Sequence, residues 1–173
     1  MSSNAPLMTG LFPDRDSAER GYASLSERGY TKDDINVVMS EDTRKSQFSS
    51  DDKASELGTK AAEGAGVGGA IGGTVGAILA AVAAVGTSIA IPGLGLVIAG
   101  PLAAALAGAG AGAATGGLVG ALVGWNIPED RAQQYDAEIR KGGILMGVRP
   151  RNDDDAAHFE SAWKTNRAQD VYR

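Results

Sequence analysis

The chain contains no cysteine and only one histidine among its 173 residues. The lack of cysteine excludes disulfide bonds, zinc–cysteine sites and thiol catalysis. There are 16 basic residues against 21 acidic ones, and neither end of the chain is basic. The positively charged surface typical of nucleic-acid binding is therefore absent. A polybasic segment that would attract anionic lipid is also absent.

Charged residues are completely missing from residues 64–128, which hold most of the 25 glycines. Residues four apart lie on one face of a helix, so glycines at this interval predict helical faces without side chains. Each helical glycine costs about 1 kcal/mol relative to alanine, and close packing between helices is the usual compensation. The predicted packing positions are Gly64, Gly68, Gly72 and Gly76 in a first arm, and Gly108, Gly112, Gly116, Gly120 and Gly124 in a second.

Between the two arms, residues 86–101 contain helix-breaking residues, namely Pro92, Gly93, Gly95 and Pro101. Proline removes a backbone donor and disfavours helix at the preceding residue, so residues 61–125 are predicted to form a glycine-zipper helical hairpin with an apolar tip at 86–101. Each arm has roughly 23 residues, or about 35 Å, which is enough to span a bilayer. We expect so apolar a tip to be buried, either re-entrant in a membrane or inside an oligomer.

A third possibility is a monomer that folds the hairpin onto its own polar domain. Few apolar residues flank the hairpin, which disfavours this interpretation.

The flanking segments have the patterns of short strands and helices. Residues 7–40 predict strand, helix and strand, whereas residues 127–173 predict helix, strand and helix. We expect 7–40 and 127–173 to form one composite two-layer α+β domain, with 41–60 as a polar linker. Because the insertion interrupts this domain, it must leave and return on the same side. The predicted apolar faces are Ala18, Tyr22 and Leu25; Ile35, Val37 and Met39; Ala132, Tyr135 and Ile139; Ile144, Met146 and Val148; and Phe159 with Trp163.

The order of these elements, together with the segments 127–130 (IPED), 140–143 (RKGG) and 143–148 (GILMGV), resembles the bacterial heat-induced general stress protein family. Residues 94–106 resemble the linker and second arm of its glycine-zipper members. The resemblance covers roughly residues 7–150. It implies a ferredoxin-like α/β domain and a link to stress, but no catalytic residue and no cofactor. A ferredoxin-like fold usually has four strands, whereas three are predicted here.

Other motifs favour structural roles. Residues 64–69 match the dinucleotide pattern GxGxxG, but the preceding segment is polar and helix-prone, and no acidic residue follows for over sixty positions, so helix packing is the better interpretation. His158 beside Asp154 and Asp155 is more simply part of a solvated helix start than a metal site. Trp125 suits either a membrane boundary or the junction between hairpin and domain.

No acid, base and nucleophile converge in the sequence, so no enzyme activity, cofactor or metal is predicted. The leading hypothesis is a non-enzymatic, stress-associated protein that forms homo-oligomers through its glycine-zipper hairpins. It would sit at or in the bacterial inner membrane, contacting lipid, with its α/β domain in the cytoplasm. One alternative is a soluble cytoplasmic homo-oligomeric particle with the hairpins buried inside. The other is a regulatory module that binds a small ligand.

Overall fold

The computed structural model describes residues 6–48, 88–91, 95–103 and 111–173. Along the chain, its elements are β1 (Met8–Phe12), α1 (Arg15–Ser26), β2 (Ile35–Ser40), α2 (Glu41–Thr43) followed by a π-helical turn (Arg44–Phe48), β3 (Ser88–Ile91), β4 (Leu96–Ala99), α3 (Ala111–Gly124), α4 (Glu129–Arg140), β5 (Ile144–Val148), α5 (Asp153–Thr165) and β6 (Gln169–Tyr172). The α+β class expected from the sequence is confirmed.

All six strands form one sheet in the order β3-β4-β2-β5-β1-β6, and every neighbouring pair is antiparallel. Strand β5 lies between β1 and β2, and β1 lies between β5 and β6. Helices α1 and α5 therefore each connect two strands that point the same way with one strand between them. The residues between β2 and β5 add β3, β4, α3 and α4 to this arrangement.

The sheet is covered on both faces. Alternation along the strands directs Met8, Phe12 and Met146 to a first face, where α1 and α5 pack with Tyr22, Leu25, Phe159 and Trp163. It directs Leu11 and Leu145 to a second face, where α3 and α4 pack with Leu118, Leu122, Tyr135 and Ile139. The fold thus has three layers rather than the two expected from the sequence.

Glycine permits the closest approach within the first-face core. A Cβ on Gly21 of α1 would lie 2.5 Å from Cζ of Phe12, and one on Gly10 would lie 2.7 Å from Cε3 of Trp163. The Gly21 carbonyl also accepts a hydrogen bond from Nε1 of Trp163 at 3.2 Å. Phe12 and Trp163 meet edge to face, with ring centroids 5.6 Å apart. These contacts hold α1 and α5 against β1.

Within the apolar tip predicted at 86–101, Ser88–Ile91 and Leu96–Ala99 are instead strands of the sheet. Residues Leu96–Ala99 form β4, which pairs with β2 from Ser40↔Leu96 to Val37↔Ala99, and β3 pairs with β4 in turn. The edge of β2 supplies backbone partners for this segment, and Leu96 and Ile98 are buried against the second face. The expectation that the tip is buried in a membrane or inside an oligomer is therefore wrong for residues 96–99, because the two apolar faces of the chain's own sheet accommodate them.

Several boundaries also differ from the sequence-based expectation. The polar linker does not begin at residue 41: residues 41–48 belong to the domain, where Phe48 is buried and the Arg15 guanidinium lies 5.0 Å from its ring centroid. Asn152 caps α5, and its side chain accepts from the backbone N–H of Asp155. Strand β6 was missed altogether.

Candidate functional site

Helix α3 carries the part of the second glycine series that the structure describes. Its buried face consists of Leu118, Ala121 and Leu122, which lie against the second face of the sheet or α4. Trp125 and Asn126 end the helix with hydrogen bonds to the carbonyls of Leu122 and Val123. Burial of leucine and alanine thus fixes which side of α3 faces the domain.

Three of the glycines of α3 face away from that core. Gly116, Gly120 and Gly124 are exposed, and a Cβ built on any of them would meet no atom within 4 Å among the described residues. Val123, beside them, is 43% exposed and is the one large apolar side chain exposed in the described ranges. We call Gly116, Gly120, Val123 and Gly124 the glycine face. It offers a helix backbone on which another helix has room to pack.

The sequence predicts one continuous strip of glycines on the second arm, but in the structure a kink interrupts this strip. Gly117 has φ 56° and ψ −153°, which is not helical, so α3 consists of two helical segments that meet there. Glycine alone adopts such a backbone conformation readily, because a Cβ would be strained. Gly112 and Gly116 lie before this kink, and Gly120 and Gly124 lie after it.

Other predicted packing positions fall elsewhere. Gly64, Gly68, Gly72, Gly76 and Gly108 lie outside the described residues, as do Pro92 and Gly93 of the predicted tip.

The two other predicted tip residues flank β4: Gly95 lies just before this strand, and Pro101 lies just after it. Gly95, with φ 61°, precedes β4, and its carbonyl accepts from the Glu41 N–H at 2.6 Å. Pro101 is exposed and follows Gly100, whose φ is 94°. A Cβ on Gly100 would lie 2.1 Å from the Ile35 carbonyl oxygen, so only glycine fits where the chain crosses β2.

A small cavity lies between the second face of the sheet and α3. It measures about 10 Å³ and is lined by Leu7, Thr9, Asn36, Val38, Leu102, Leu122, Trp125, Leu145 and Gly147. Its polar lining is already engaged: Asn36 bonds the Gly147 carbonyl and the Leu102 N–H, and Thr9 bonds the Tyr135 hydroxyl at 2.9 Å. The volume suits about one water molecule and no metabolite.

Tyr135 links this face to the sheet edge. Its hydroxyl donates to the Asp170 carbonyl of β6 at 2.9 Å, and burial raises the pKa of this phenol. Trp125 packs at the junction of α3 and the second-face core, with the Arg149 guanidinium 5.7 Å from its ring centroid. The junction role that the sequence suggested for Trp125 is consistent with this position.

The carboxylate of Asp155 is the most heavily engaged acidic group near His158. It accepts hydrogen bonds from Nη1 of Arg28 at 3.0 Å and from the Tyr30 hydroxyl at 2.8 Å. The Tyr30 hydroxyl in turn accepts from the Arg151 N–H at 2.6 Å, while burial raises the pKa of Tyr30. These contacts join the end of α1 to the start of α5, and they were not visible in the sequence because the residues lie more than 120 positions apart.

His158 contacts the ring of Phe159. Among the described residues, histidine and acidic side chains form no group of three that would hold a metal ion. No buried side-chain nitrogen or oxygen in the described ranges lacks a hydrogen-bond partner. The hydrogen bonds of Asp155 to Arg28 and Tyr30 have a structural role, since they hold the start of α5 against the end of α1.

The helices of the described ranges include none with both the length and the apolarity to cross a bilayer.

No family model, curated protein or solved structure matches this sequence.

Proposed function

We propose that this chain is a non-enzymatic protein that self-assembles by packing the glycine face of α3 against a helix of a second copy. The observation that carries the proposal is the direction of Gly116, Gly120 and Gly124, which point away from the core and at which a Cβ would meet no described atom within 4 Å. No contact among the described residues requires glycine at these three positions. A partner backbone that approaches closely gives these positions a purpose.

The energetics of the isolated chain support this reasoning. Each interior helical glycine costs about 0.5–1 kcal/mol relative to alanine, and Gly120 lies inside the second helical segment of α3, between the kink at Gly117 and the last helical residue, Gly124. Alanine would fit at Gly116 and Gly120 without displacing any described atom. The cost is offset when two helices pack through glycine positions, because their backbones then approach closely.

We also propose that β1, α1, β2, β5, α5 and β6 form a ferredoxin-like unit with a long insertion between β2 and β5. The interleaved order β2-β5-β1-β6 supports this assignment, since the two strand–helix–strand units each enclose a strand of the other. Strand β6 supplies the fourth strand that the sequence left missing. Membership of the heat-induced general stress protein family, and a role under stress, belong to the same proposal and rest on the short motifs.

Two locations for the assembly stay open to test. Lipid contact at the bacterial inner membrane, with the α/β domain in the cytoplasm, rests on the uncharged stretch that begins at residue 64. A soluble cytoplasmic particle is the second candidate. It is favoured by the burial of Leu96, Ile98, Leu118 and Leu122 against the chain's own sheet, which removes the need to bury them in lipid.

The test replaces Gly116 with leucine, and the matched control replaces it with alanine. Leucine would block close helix approach, so we expect the particle mass measured by detergent-free light scattering to fall. Alanine preserves a small residue at the contact, so Gly116→Ala should retain assembly. Both changes leave the described packing of the monomer intact, and circular dichroism should report a folded α/β domain for each.

An unchanged particle mass in Gly116→Leu would count against the glycine face. Membrane fractionation of the unmodified protein separates the two locations. A carbonate-resistant pellet that needs detergent for release supports the membrane assembly, whereas a monodisperse detergent-free particle supports the soluble one.

A further inference from the structure

The two edges of the sheet differ in their capacity to accept another strand. At the β6 edge, the register with β1 shifts between Thr9 and Leu11, and Asp170 has φ 49°. The Asp170 carbonyl is taken by Tyr135, and the Arg131 guanidinium lies 4.5 Å from the Tyr172 ring centroid. Edge strands are protected from pairing with another strand by bulges, by charged residues and by side chains that cover the edge. The β6 edge has all three features.

The opposite edge, β3, has none of these devices in its sequence. Residues 88–91 read SIAI, with no charge and no proline, and no charged residue occurs anywhere from 64 to 128. Within the described part of the chain, β3 has β4 as its single neighbour, in the unshifted register Ser88↔Ala99 to Ile91↔Leu96. Backbone groups of alternate residues in β3 therefore point outward from the sheet.

We propose that a second copy of this chain occupies this edge, with β3 pairing antiparallel to β3 of the partner about a two-fold axis. An antiparallel strand pair is self-complementary under such an axis, so one surface serves both copies. Pairing would join two six-stranded sheets into one of twelve strands. The net charge of −5 disfavours association in general, but residues 88–91 carry no charge, so pairing β3 with its copy brings no like charges of these strands together.

This contact is separate from the glycine face of α3. The edge contact uses backbone hydrogen bonds of β3, whereas the proposed function uses packing of helical backbones. Two different contacts on one chain would build assemblies larger than a dimer, and each contact can be removed without the other.

The absence of cysteine makes a position-specific test direct, because every introduced thiol is the only one in the chain. Single variants Ser88→Cys, Ile89→Cys, Ala90→Cys and Ile91→Cys are oxidised, and the rate of disulfide-linked dimer formation is measured on non-reducing gels. Gln169→Cys, exposed on the β6 edge, is the matched control. Disulfides need Cβ atoms within about 4.5 Å, so only positions next to the two-fold axis should react.

We expect a maximum at one or two adjacent positions of β3, at least about tenfold faster than Gln169→Cys, since paired residues across antiparallel strands bring their Cβ atoms together. Equal rates at all five positions would overturn the proposal. As a second measurement, Ala90→Lys should reduce particle mass about twofold by introducing the charge that protects natural edges, while Gln169→Lys should not. An unchanged mass in folded Ala90→Lys would also overturn it.

The outcome is distinguishable from that of the glycine-face proposal. Gly116→Leu combined with the fastest-reacting cysteine should still form the linked dimer if the edge pairs as proposed. If Gly116→Leu lowers the particle mass but no β3 position reacts faster than the control, the edge contact is wrong and the glycine face stands. If a β3 position reacts fastest and Gly116→Leu changes nothing, the reverse holds.

Discussion

Replacing Gly21 of α1 with alanine should destabilise the protein, although alanine is the better helix former. Gly21 is buried in the middle of a twelve-residue helix, and its missing side chain makes room for Phe12. An added Cβ would lie 2.5 Å from Cζ and 2.6 Å from Cε1 of that ring. Phe12 cannot easily retreat, because its other side meets Trp163 edge to face.

Two opposing contributions set the magnitude. Alanine gains about 1 kcal/mol in helix propensity over glycine. Overpacking a core by one methyl group costs about 1–3 kcal/mol, and a contact this short belongs at or above the upper end. Displacing α1 would also weaken the hydrogen bond from Trp163 to the Gly21 carbonyl. The expected net loss in the free energy of unfolding is therefore about 2 kcal/mol.

The assay is urea unfolding followed by tryptophan fluorescence, with Trp163 buried beside the substituted position. In a separate thermal melt, a loss of this size should lower the midpoint by about 4–8 °C for a chain of this length. Gly120→Ala is the matched control, because it makes the same chemical change in α3, where a Cβ would meet no atom of the described ranges within 4 Å. At protein concentrations low enough for monomers, this control should gain about 0.5–1 kcal/mol.

The two variants should move in opposite directions. If Gly21→Ala were as stable as the unmodified protein, Phe12 would have to yield at no cost, and the close packing of α1 on β1 would be refuted.

The remaining predictions concern the Asp155 cluster and a buried phenol. Asp155→Ala should lower the free energy of unfolding by about 1–3 kcal/mol, because the hydrogen bonds to Arg28 and Tyr30 are lost. The control Asp154→Ala changes an exposed residue of the same turn and should alter this free energy little. Equal losses for the two variants in urea titrations would contradict the structural role of Asp155. Burial raises the pKa of Tyr22 to about 12 from its usual value of 10.0. Between pH 10 and 12 the folded state keeps the Tyr22 proton that the unfolded state loses, so the free energy of unfolding should fall as the pH rises. Tyr22→Phe should reduce that fall. If the free energy of unfolding of the two proteins changed with pH in parallel, the raised pKa of Tyr22 would be contradicted.

Periodicity was sufficient to locate most of the α/β elements. Alternating apolar residues identified β2 and β5. The stripe of Ala18, Tyr22 and Leu25 is buried as expected. These features depend on residues within a few positions of one another, so a single stretch of sequence contains the information that specifies them.

Two errors came from pairings distant in sequence. Strand β6 has a polar, partly exposed sequence and exists because β1 offers it an edge. Strand β4 lies where the sequence predicts the tip of a helical hairpin, since its apolar residues lie between two helix-breaking prolines. Only the free edge of β2 turns that segment into a strand, and β2 lies more than fifty residues earlier in the chain.

The sequence by itself determined that residues 64–128 carry no charge and that glycine recurs in them every fourth position, which predicts bare helical surface wherever a helix forms. Only the tertiary structure decided which way that surface points. Leu118 and Leu122 bury against the second face of the sheet because apolar side chains gain most by leaving water, and the glycines opposite them are left outside. Helical spacing defines a face, but the direction of that face depends on what the rest of the chain offers to cover the other side.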